Sequence, residues 1–460
     1  MTFFSAEFAI IFLCFFCIYW LIKNSFRLQN YLILFFNYFL IYTFSPYFTF
    51  VVLFQTCFVS YFGLFIHYKK SINALFSALF FTLTYLCFFK YYDFIYADFK
   101  NILEILNFEI LAKNLDIVFP IGISFYTFAS ITYLVSIQKK ELKPANFITL
   151  ACYLSFFATL LAGPIARASF LLPQFEKKRV FKNADIIYVL LFFGIIKKIL
   201  IANYLHGYVG GVFSDPNEHN MLKVITAVYL YGVWLYCDFS GYIDIVTALA
   251  LAIGFTLPIN FNMPYASLNL KEFWAKWHIS LSTFIKDYIY IPLGGNKKGY
   301  FFTQINVIIA FALSGIWHGV GLNFLIWGLM HGVGINILNT MQKFRINISS
   351  KMPHLSMFIT YSFVSIAWVY FDRDEISEAN NVILSMFNTT HPITNHDIML
   401  IFALIILFFI YPKTKNIKEI LINFLAVTPA IFKPIVFSFI LAFVFAIMPD
   451  GIPDFIYSSF

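Results

Sequence analysis

Charged residues are scarce in this chain: they make up 12% of its 460 residues, against about 25% in an average soluble domain. Hydrophobic residues make up 61%, and the mean hydropathy is +0.79. The longest relatively polar stretches (92–117, 168–185 and 372–396) each fall well below the roughly 50 residues of a small folded domain. These shortages exclude an ordinary soluble protein and predict a single integral membrane domain over 1–460.

Cysteine is also sparse and forms no recognisable pattern. The six cysteines all lie in apolar runs: Cys14, Cys17, Cys57, Cys87, Cys152 and Cys237. Cys14 and Cys17 have CxxC spacing, but they stand among Phe and Leu in mid-helix, where packing is the expected role of the thiol. The sequence therefore predicts neither a disulfide framework nor a metal site.

The basic residues are confined to short clusters between apolar segments: Lys23/Arg27, Lys69/Lys70, Lys139/Lys140/Lys143, Lys177/Lys178/Arg179/Lys182 and Lys297/Lys298. This pattern is typical of cytoplasmic loops in membrane proteins. It indicates an extracytoplasmic N-terminus, and it does not predict nucleic-acid binding because no soluble face exists to carry a basic patch. The first segment, 3–22, lacks the basic start and cleavage site of a signal peptide and is expected to be a retained transmembrane helix.

Apolar runs long enough to approach a membrane span recur along the whole chain. The candidates are 3–22, 30–45, 47–67, 73–92, 118–137, 147–165, 185–207, 221–239, 241–258, 301–318, 321–342, 355–371, 397–412 and 431–449. Two or three of these fourteen are expected to be short or re-entrant, which leaves about eleven or twelve spans. A further segment, 271–288, alternates apolar and polar residues with helical spacing and predicts an amphipathic helix at the membrane interface or dipping into the protein.

Two carboxylates interrupt the apolar background in "YCDFSGYIDI" (236–245). Asp238 and Asp244 fit a helix boundary, because Asp-Phe-Ser-Gly is good turn and cap chemistry. They also fit a contact with substrate, because ionisable residues at membrane depth are candidate functional sites. Both interpretations remain open at the level of sequence.

Three histidines stand in otherwise apolar surroundings. His318 ends the apolar run 305–317 and is followed by Gly319 and Gly321, which predict a break in the helix and favour a site over simple packing. His278 lies on the apolar flank of the amphipathic segment, as an interfacial residue or as part of a polar cavity. His331, among small residues, fits helix packing best.

Familiar catalytic signatures are missing: the chain has no GxSxG, HExxH, P-loop or dinucleotide fingerprint. A neutral imidazole is a good general base near pH 7. The remaining chemistries are base-assisted transfer to a hydroxyl group and, as a different class, proton-coupled transport through the Asp and His residues. A transporter often has internal repeats, which this sequence lacks. A non-catalytic lipid-binding scaffold would not explain the intramembrane histidines.

Several motifs in order resemble the membrane-bound O-acyltransferase (MBOAT) family. They are "YCDFSGYIDIVTALALAIGFTLPINFNMPYASLNLKEFWAKWHISLS" (236–282), "KDYIYIPLGGNKKG" (286–299) and "LSGIWHGVGLNFLIWGLMHG" (313–332). Upstream, "FPIGISFYTFASITYLV", "LAGPIAR" and "GIIKKILIA" resemble the branch that modifies bacterial peptidoglycan, alginate and teichoic acids. The chain departs from the common pattern at Cys237, usually aromatic, and at Ile243, usually Ser.

The resemblance implies an all-α polytopic fold in which about eleven or twelve transmembrane helices, with re-entrant and amphipathic helices, form a ring around a central tunnel. It assigns His318 as the catalytic histidine and His278 as a second signature histidine, with no metal. Expected residues of the substrate path are Trp317, Trp274, Trp277, Asp238, Asp244, Ser282 and His331. Base, hydroxyl and thioester held in one dry channel would combine orientation with base catalysis.

The resemblance also implies a cytoplasmic thioester donor, acetyl-CoA, and a multi-pass protein of the bacterial inner membrane. The expected product is an O-acetylated extracytoplasmic glycan, peptidoglycan in the first place, with alginate or another exopolysaccharide and D-alanyl transfer as alternatives. Because a hydrated polymer should not enter a narrow apolar tunnel, a separate extracytoplasmic O-acetyltransferase is expected to take over the acyl group. Tyr457 near the C-terminus is either a transient acyl carrier or part of a packed or frayed tail.

Overall fold

Helices are the regular structure of the computed structural model, which describes residues 5–105, 117–346 and 351–449 and has no β-strand in those ranges. The predicted all-α class is confirmed. The chain divides into two compact units, Met1–Ala184 with Leu249–Pro258 and Asp185–Ala248 with Ile259–Phe460. The interpretation of 1–460 as one domain stays a prediction.

The described residues of unit 1 form eight helices: α1 (Ala6–Leu21), α2 (Phe26–Phe44), α3 (Pro46–Lys69), α4 (Ile72–Ile105), α5 (Ile123–Gln138), α6 (Phe147–Leu154), α7 (Phe157–Leu160) and α8 (Ala168–Phe175). Serine hydroxyls begin the first three: Ser5, Ser25 and Ser45 each accept a backbone N–H of the following turn. Buried Arg179 donates to the carbonyl oxygens of Phe26 and Phe175, 3.1 and 3.0 Å away, and the carbonyl of Phe175 is a free group at the end of α8.

Unit 2 contains the helices that carry the candidate site. They are α9 (Ala184–Ile195), α10 (Ala202–Ser214), α11 (Met221–Ala252), α12 (Leu270–Trp274), α13 (Ile279–Ile285), α14 (Tyr300–His318), α15 (Leu322–Lys343), α16 (Pro353–Asp372), α17 (Ile376–Ser385), α18 (Asn395–Ile410), α19 (Ile417–Val427) and α20 (Phe432–Ile447). Two π-helices, Ile196–Ile201 and Lys286–Tyr290, and three 3₁₀ turns, Pro216–Glu218, Pro264–Ala266 and Tyr411–Asn416, connect some of them.

Seven helices in the described part of the chain are long and apolar enough to cross a membrane: Pro46–Lys69, Ile72–Tyr96, Met221–Ala252, Tyr300–His318, Leu322–Lys343, Pro353–Asp372 and Asn395–Val427. Ala6–Leu21 and Phe432–Ile447 are shorter apolar helices. This pattern is that of a multi-pass membrane protein. A total of eleven or twelve spans stays a prediction, as does the closed ring.

Helix α11 corrects the expected boundary at Asp238 and Asp244. The sequence predicts separate spans 221–239 and 241–258, but Met221–Ala252 is one continuous helix that carries both carboxylates in its interior. Gly241, which suggested the turn, instead permits a close helix contact, since a Cβ there would lie 2.8 Å from the backbone nitrogen of Lys198. The glycine therefore serves packing and ends no helix.

The predicted amphipathic helix over 271–288 is also wrong in detail. It consists of two short helices, α12 and α13, separated by residues 275–278, and of the start of the π-helix Lys286–Tyr290. His278, just before α13, has a φ of +42°, in the left-handed region that residues other than glycine rarely adopt. Asn260 explains the break, because its backbone oxygen accepts the N–H of Ile279 at 2.9 Å and its Oδ1 accepts that of Ser280 at 3.1 Å. These bonds replace those of a continuous helix.

Helices α14 and α15 pack backbone to backbone. A Cβ on Gly315 would lie 2.3 Å from the carbonyl oxygen of Phe324, and one on Gly328 would lie 2.4 Å from that of Phe311. Small residues at a helix crossing allow this approach in membrane proteins. The crossing fixes His318, at the end of α14, against the first turns of α15.

Candidate active site

His318 is the last residue of α14 and is buried, with 4% of its surface exposed. Its imidazole contacts the rings of Trp317, Trp327 and Phe371 at centroid distances of 4.8, 5.0 and 5.1 Å. The chain then breaks over 319–321, where a Cβ on Gly319 would lie 2.0 Å from the ring of Phe324. The helix break predicted at His318 is therefore present.

His331 lies next to His318 across one indole ring. The ring centroid of Trp327 is 5.0 Å from that of His318 and 5.2 Å from that of His331. Trp274 Nε1 donates a hydrogen bond of 3.2 Å to His331 Nδ1, so that Nε2 is the nitrogen that carries the proton of the neutral ring. A tryptophan thus sets the tautomer of His331, and both the packing role and the path role of this residue stay predictions.

His278 occupies a separate part of the same unit. It is 1% exposed and contacts the ring of Phe239 at 4.8 Å, so it is not a half-solvated interfacial histidine. Its Nδ1 lies 3.2 Å from Asn260 Oδ1, an acceptor, and so Nδ1 donates. Burial lowers the pKa of His278 to about 3, which keeps its ring neutral at physiological pH.

An aromatic chain runs between the neighbourhoods of His278 and His318. Trp277 contacts Trp368 at a ring distance of 5.1 Å, and Trp368 stacks on Trp327 at 5.6 Å. Trp274 also contacts Trp327, edge to face, at a ring distance of 5.8 Å. Four predicted path residues (Trp274, Trp277, Trp317 and His331) therefore share one aromatic cluster with His318.

A cavity of about 190 Å³ adjoins this cluster. It is lined by Trp274, Leu281, Ser282, Ile285, Lys286, Tyr290, Val307, Ala310, Phe311 and Ser314. Ser314 and Phe311 lie one and two turns before His318 and so share its face of α14. The cavity contains the predicted path residues Trp274 and Ser282, and it extends along the face that ends in the candidate base.

Asp238 and Asp244 pair with lysines that the sequence analysis assigned no role. Lys198 forms a buried ion pair with Asp238. Lys197 and Lys418 both bind Asp244, at 2.7 and 2.9 Å. Ion pairs satisfy both carboxylates, in place of the cap hydrogen bonds expected at a helix boundary. Two adjacent lysines inside the apolar run 185–207 were the available signal.

Two further predictions concern a metal ion and Tyr457 near the C-terminus. In the described ranges, no three side chains of His, Cys, Asp or Glu group closely enough to hold a metal ion. Tyr457 lies outside the described residues. Its proposed role as an acyl carrier is still a prediction.

The fold and the site are those of a multi-pass helical membrane protein with histidines buried in an aromatic core. The sequence model of the MBOAT, membrane-bound O-acyltransferase, family matches residues 115–371, a range that includes all three histidines, both aspartates and the paired lysines 197 and 198. The chain belongs to this family. Lys418 lies beyond the matched range.

Curated relatives act on several bacterial polymers, according to their names. The chain is 32% identical over 329 residues to a peptidoglycan O-acetyltransferase of Helicobacter pylori, covering 65% of this chain and 62% of the relative. It is 35% identical over 277 residues to a probable alginate O-acetylase AlgI of Pseudomonas aeruginosa (59% and 52%). Identity to a teichoic acid D-alanyltransferase of Bacillus subtilis is 28% over 220 residues (45% and 55%). The chain thus spans 52–62% of these relatives' lengths.

Proposed function

We propose that this chain is an O-acyltransferase that moves an acetyl group from cytoplasmic acetyl-CoA toward an extracytoplasmic glycan, peptidoglycan in the first place, with His318 as general base. Family membership and the burial of His318, one helical turn beyond the cavity-lining Ser314, carry the proposal. The greater extent of the match to the peptidoglycan O-acetyltransferase, 65% of the chain against 59% and 45%, favours acetyl over D-alanyl and peptidoglycan over alginate.

The chemistry follows from a neutral imidazole at the acceptor hydroxyl. His318 takes the hydroxyl proton as the oxygen attacks the thioester carbonyl, and a tetrahedral intermediate forms. When the C–S bond breaks, the imidazolium returns the proton to the departing thiolate, so the base is regenerated. Burial among aromatic rings keeps bulk water away from the thioester and so disfavours hydrolysis.

The distribution of charge supports an extracytoplasmic position for His318. Lys297 and Lys298 precede α14, and Lys343 and Arg345 end and follow α15, so these four cations lie at the helix ends opposite His318. Basic residues favour the cytoplasmic side. Helix α14, with 19 residues, places its two ends about 28 Å apart at 1.5 Å per residue. The candidate base would therefore meet an acceptor from the outer side.

A polar cleft lies toward the same end of this unit as His318. It has a volume of about 650 Å³ and lies where α10, α11 and α18 begin or end, with His219, Lys223, His391, His396 and Asp397 among its lining. Asn323, at the start of α15 near His318, donates to the carbonyl oxygens of Tyr370 and Arg373, at the end of α16. The segment after α16 leads through α17 to this cleft. We infer that an acceptor or a partner transferase approaches from this end.

The test of the proposed function is donor and acceptor specificity. Purified full-length protein receives labelled acetyl-CoA or a D-alanyl carrier protein thioester, and label is followed in released thiol and acceptor. We expect the purified protein to turn over acetyl-CoA. We also expect a gene deletion to remove O-acetyl groups from peptidoglycan, as measured by mass spectrometry of muropeptides. Turnover of the D-alanyl thioester alone, or loss of acetyl groups from an exopolysaccharide alone, would replace the proposed substrates with those of the other relatives.

A further inference from the structure

A group of charges with more lysines than carboxylates surrounds Asp244 of α11, apart from the histidines. Asp244 accepts from two lysines, since Lys197 Nζ is 2.7 Å from its Oδ2 and Lys418 Nζ is 2.9 Å from both carboxylate oxygens. Among the described residues, neither lysine is within ion-pair distance of another carboxylate. The Lys197–Asp244–Lys418 trio therefore has a net charge of +1.

The backbone holds this trio in place. The π-helix Ile196–Ile201 packs closely on α11 at Gly241, and its adjacent lysines meet two different carboxylates of α11, Lys198 meeting Asp238 and Lys197 meeting Asp244. Single-turn π-helices occur frequently at functional sites. Lys197 also donates to Ser240 Oγ at 2.9 Å, so its ammonium group has a fixed position.

One side of the trio is open. The side chains of Lys197 and Asp244 are 12% and 11% exposed, whereas that of Lys418 is 41% exposed. Exposed Lys413 and Lys415 stand on the 3₁₀ turn just before Lys418. A net positive charge at a partly buried site favours the binding of an anion. The open, lysine-rich side is where such an anion can enter.

The trio is also connected to the candidate site. Lys197 Nζ lies 5.6 Å from the ring centroid of Tyr236, and that ring contacts Trp277 at 6.4 Å. Trp277 belongs to the aromatic cluster that contains His318. An anion bound at the trio would thus be held a few side chains away from the proposed reacting groups.

We propose that the trio is a phosphate-binding site and that its ligand is the phosphate of the acyl donor; this step rests on the proposed function. Acyl-CoA and acyl carrier proteins both carry their thioester on a phosphopantetheine arm, which ends in a diphosphate in CoA and in a serine phosphodiester in a carrier protein. Lysine ammonium groups bind phosphate as point charges. Asp244 orients the two lysines and limits their charge, and Lys418 supplies the contact on the open side. The phosphate headgroup of an anionic lipid has the same chemistry and is the alternative source.

The experiment compares donors with and without phosphate. Full-length wild type and Lys418→Gln, in phosphatidylcholine nanodiscs, are assayed with acetyl-CoA and with S-acetylpantetheine, which has no phosphate. The expected result is a KM for acetyl-CoA about tenfold higher in Lys418→Gln, with kcat within about twofold and no change with S-acetylpantetheine. Lys418→Arg should keep the wild-type KM. Lys433→Gln is the matched control, because it breaks a separate ion pair of 2.6 Å with Asp185.

An equal loss of activity with both donors in Lys418→Gln would overturn the phosphate site in favour of a structural ion pair. The same rise in KM for acetyl-CoA in Lys433→Gln would do so as well. A binding measurement separates this failure from that of the proposed function: inorganic pyrophosphate should raise the thermal midpoint of wild type and not of Lys418→Gln. If no thioester turns over but pyrophosphate still stabilises through Lys418, the proposed function fails and the site stands. If only phosphatidylglycerol stabilises through Lys418, the ligand is a lipid and the assignment to the donor is wrong.

Discussion

The proton positions of the buried histidines determine what each ring can do. Trp274 donates to His331 Nδ1, which leaves the N–H of His331 on Nε2. His278 donates from Nδ1 to Asn260, which leaves Nε2 as the acceptor nitrogen. The two rings are therefore oriented with opposite tautomers, and each has one neighbour that fixes it.

Removal of the Trp274 donor should disturb His331 without emptying the aromatic cluster. Trp274→Phe retains a ring but loses the N–H, so the tautomer of His331 is no longer set. We expect acetyl transfer to fall about three- to tenfold, the kinetic equivalent of one hydrogen bond of ~1 kcal/mol, with little change in thermal midpoint. An unchanged kcat/KM would show that the tautomer of His331 has no part in the reaction.

His278 should make stability depend on pH. Its folded pKa, about 3, is below the unfolded value of about 6.5, so the unfolded state binds more protons as the pH falls below 6.5. Stability from this residue is full above pH 6.5 and declines below it, by up to ~2 kcal/mol at pH 5. Thermal midpoints of wild type and His278→Gln at pH 7.5 and 5 check this. The thermal midpoint of wild type should fall more between pH 7.5 and pH 5 than that of His278→Gln. An equal or larger fall in His278→Gln would contradict the buried neutral ring.

Single residues differ in how much of their role is visible in the sequence. His318 beside Gly319 and Gly321 indicates a site because a polar ring and a helix break coincide in an apolar run. The partners of the aspartates could not be predicted, since Lys198 is 40 positions from Asp238 and Lys418 is 174 from Asp244. Such pairs depend on tertiary packing, which local spacing does not encode. The hydrogen bond between Trp274 and His331, 57 positions apart, has the same origin.

Helix packing positions the candidate base at the scale of elements. The α14–α15 crossing depends on Gly315 and Gly328, and its tightness leaves His318 against Trp327. Replacement of either glycine should therefore affect both stability and the site.

Gly328→Ala is expected to lower stability by about 1–3 kcal/mol, because the new Cβ would lie 2.4 Å from a backbone oxygen that cannot move aside easily. Gly207→Ala in α10 is the matched control, since a Cβ there has no neighbour within 4 Å. The control should be neutral or slightly stabilising, as alanine is the better helix former. Thermal unfolding in detergent measures both, and equal midpoints would show that the crossing is looser than the structure has it.

Element types were predictable where hydropathy and length agree, as for α14, α15 and α16. Glycine misled the prediction at α11, because Gly241 suggests a turn in sequence but makes room for a neighbouring backbone in the fold. The segment 271–288 was misread for a different reason: its helical spacing is correct on each side of His278, while Asn260, from a preceding loop, interrupts it. Tertiary hydrogen bonds overrode the local pattern in that segment.

The whole molecule is expected to need a second protein. The described part of the chain is helical and largely apolar, and none of its polar stretches approaches the size of a sugar-binding domain. Liposomes with acetyl-CoA inside and soluble glycan outside should yield little acetylated glycan from this chain alone. Addition of a matching extracytoplasmic transferase should raise the yield at least about tenfold, an expectation based on the entropic gain of a positioned carrier. Efficient acetylation without it would contradict the need for a partner.

His318 as the transferring base is tested most directly by single-turnover acetyl transfer in such liposomes, with the partner present and acetyl-CoA enclosed. The experiment compares wild type, His318→Ala and the control His354→Ala at equal amounts of protein, after their thermal midpoints have been shown to agree. His354 is an exposed histidine of the same unit. Loss of transfer by at least about 10²-fold in His318→Ala, with His354→Ala at the wild-type rate, is the predicted result. Transfer by His318→Ala within a few-fold of wild type would contradict it.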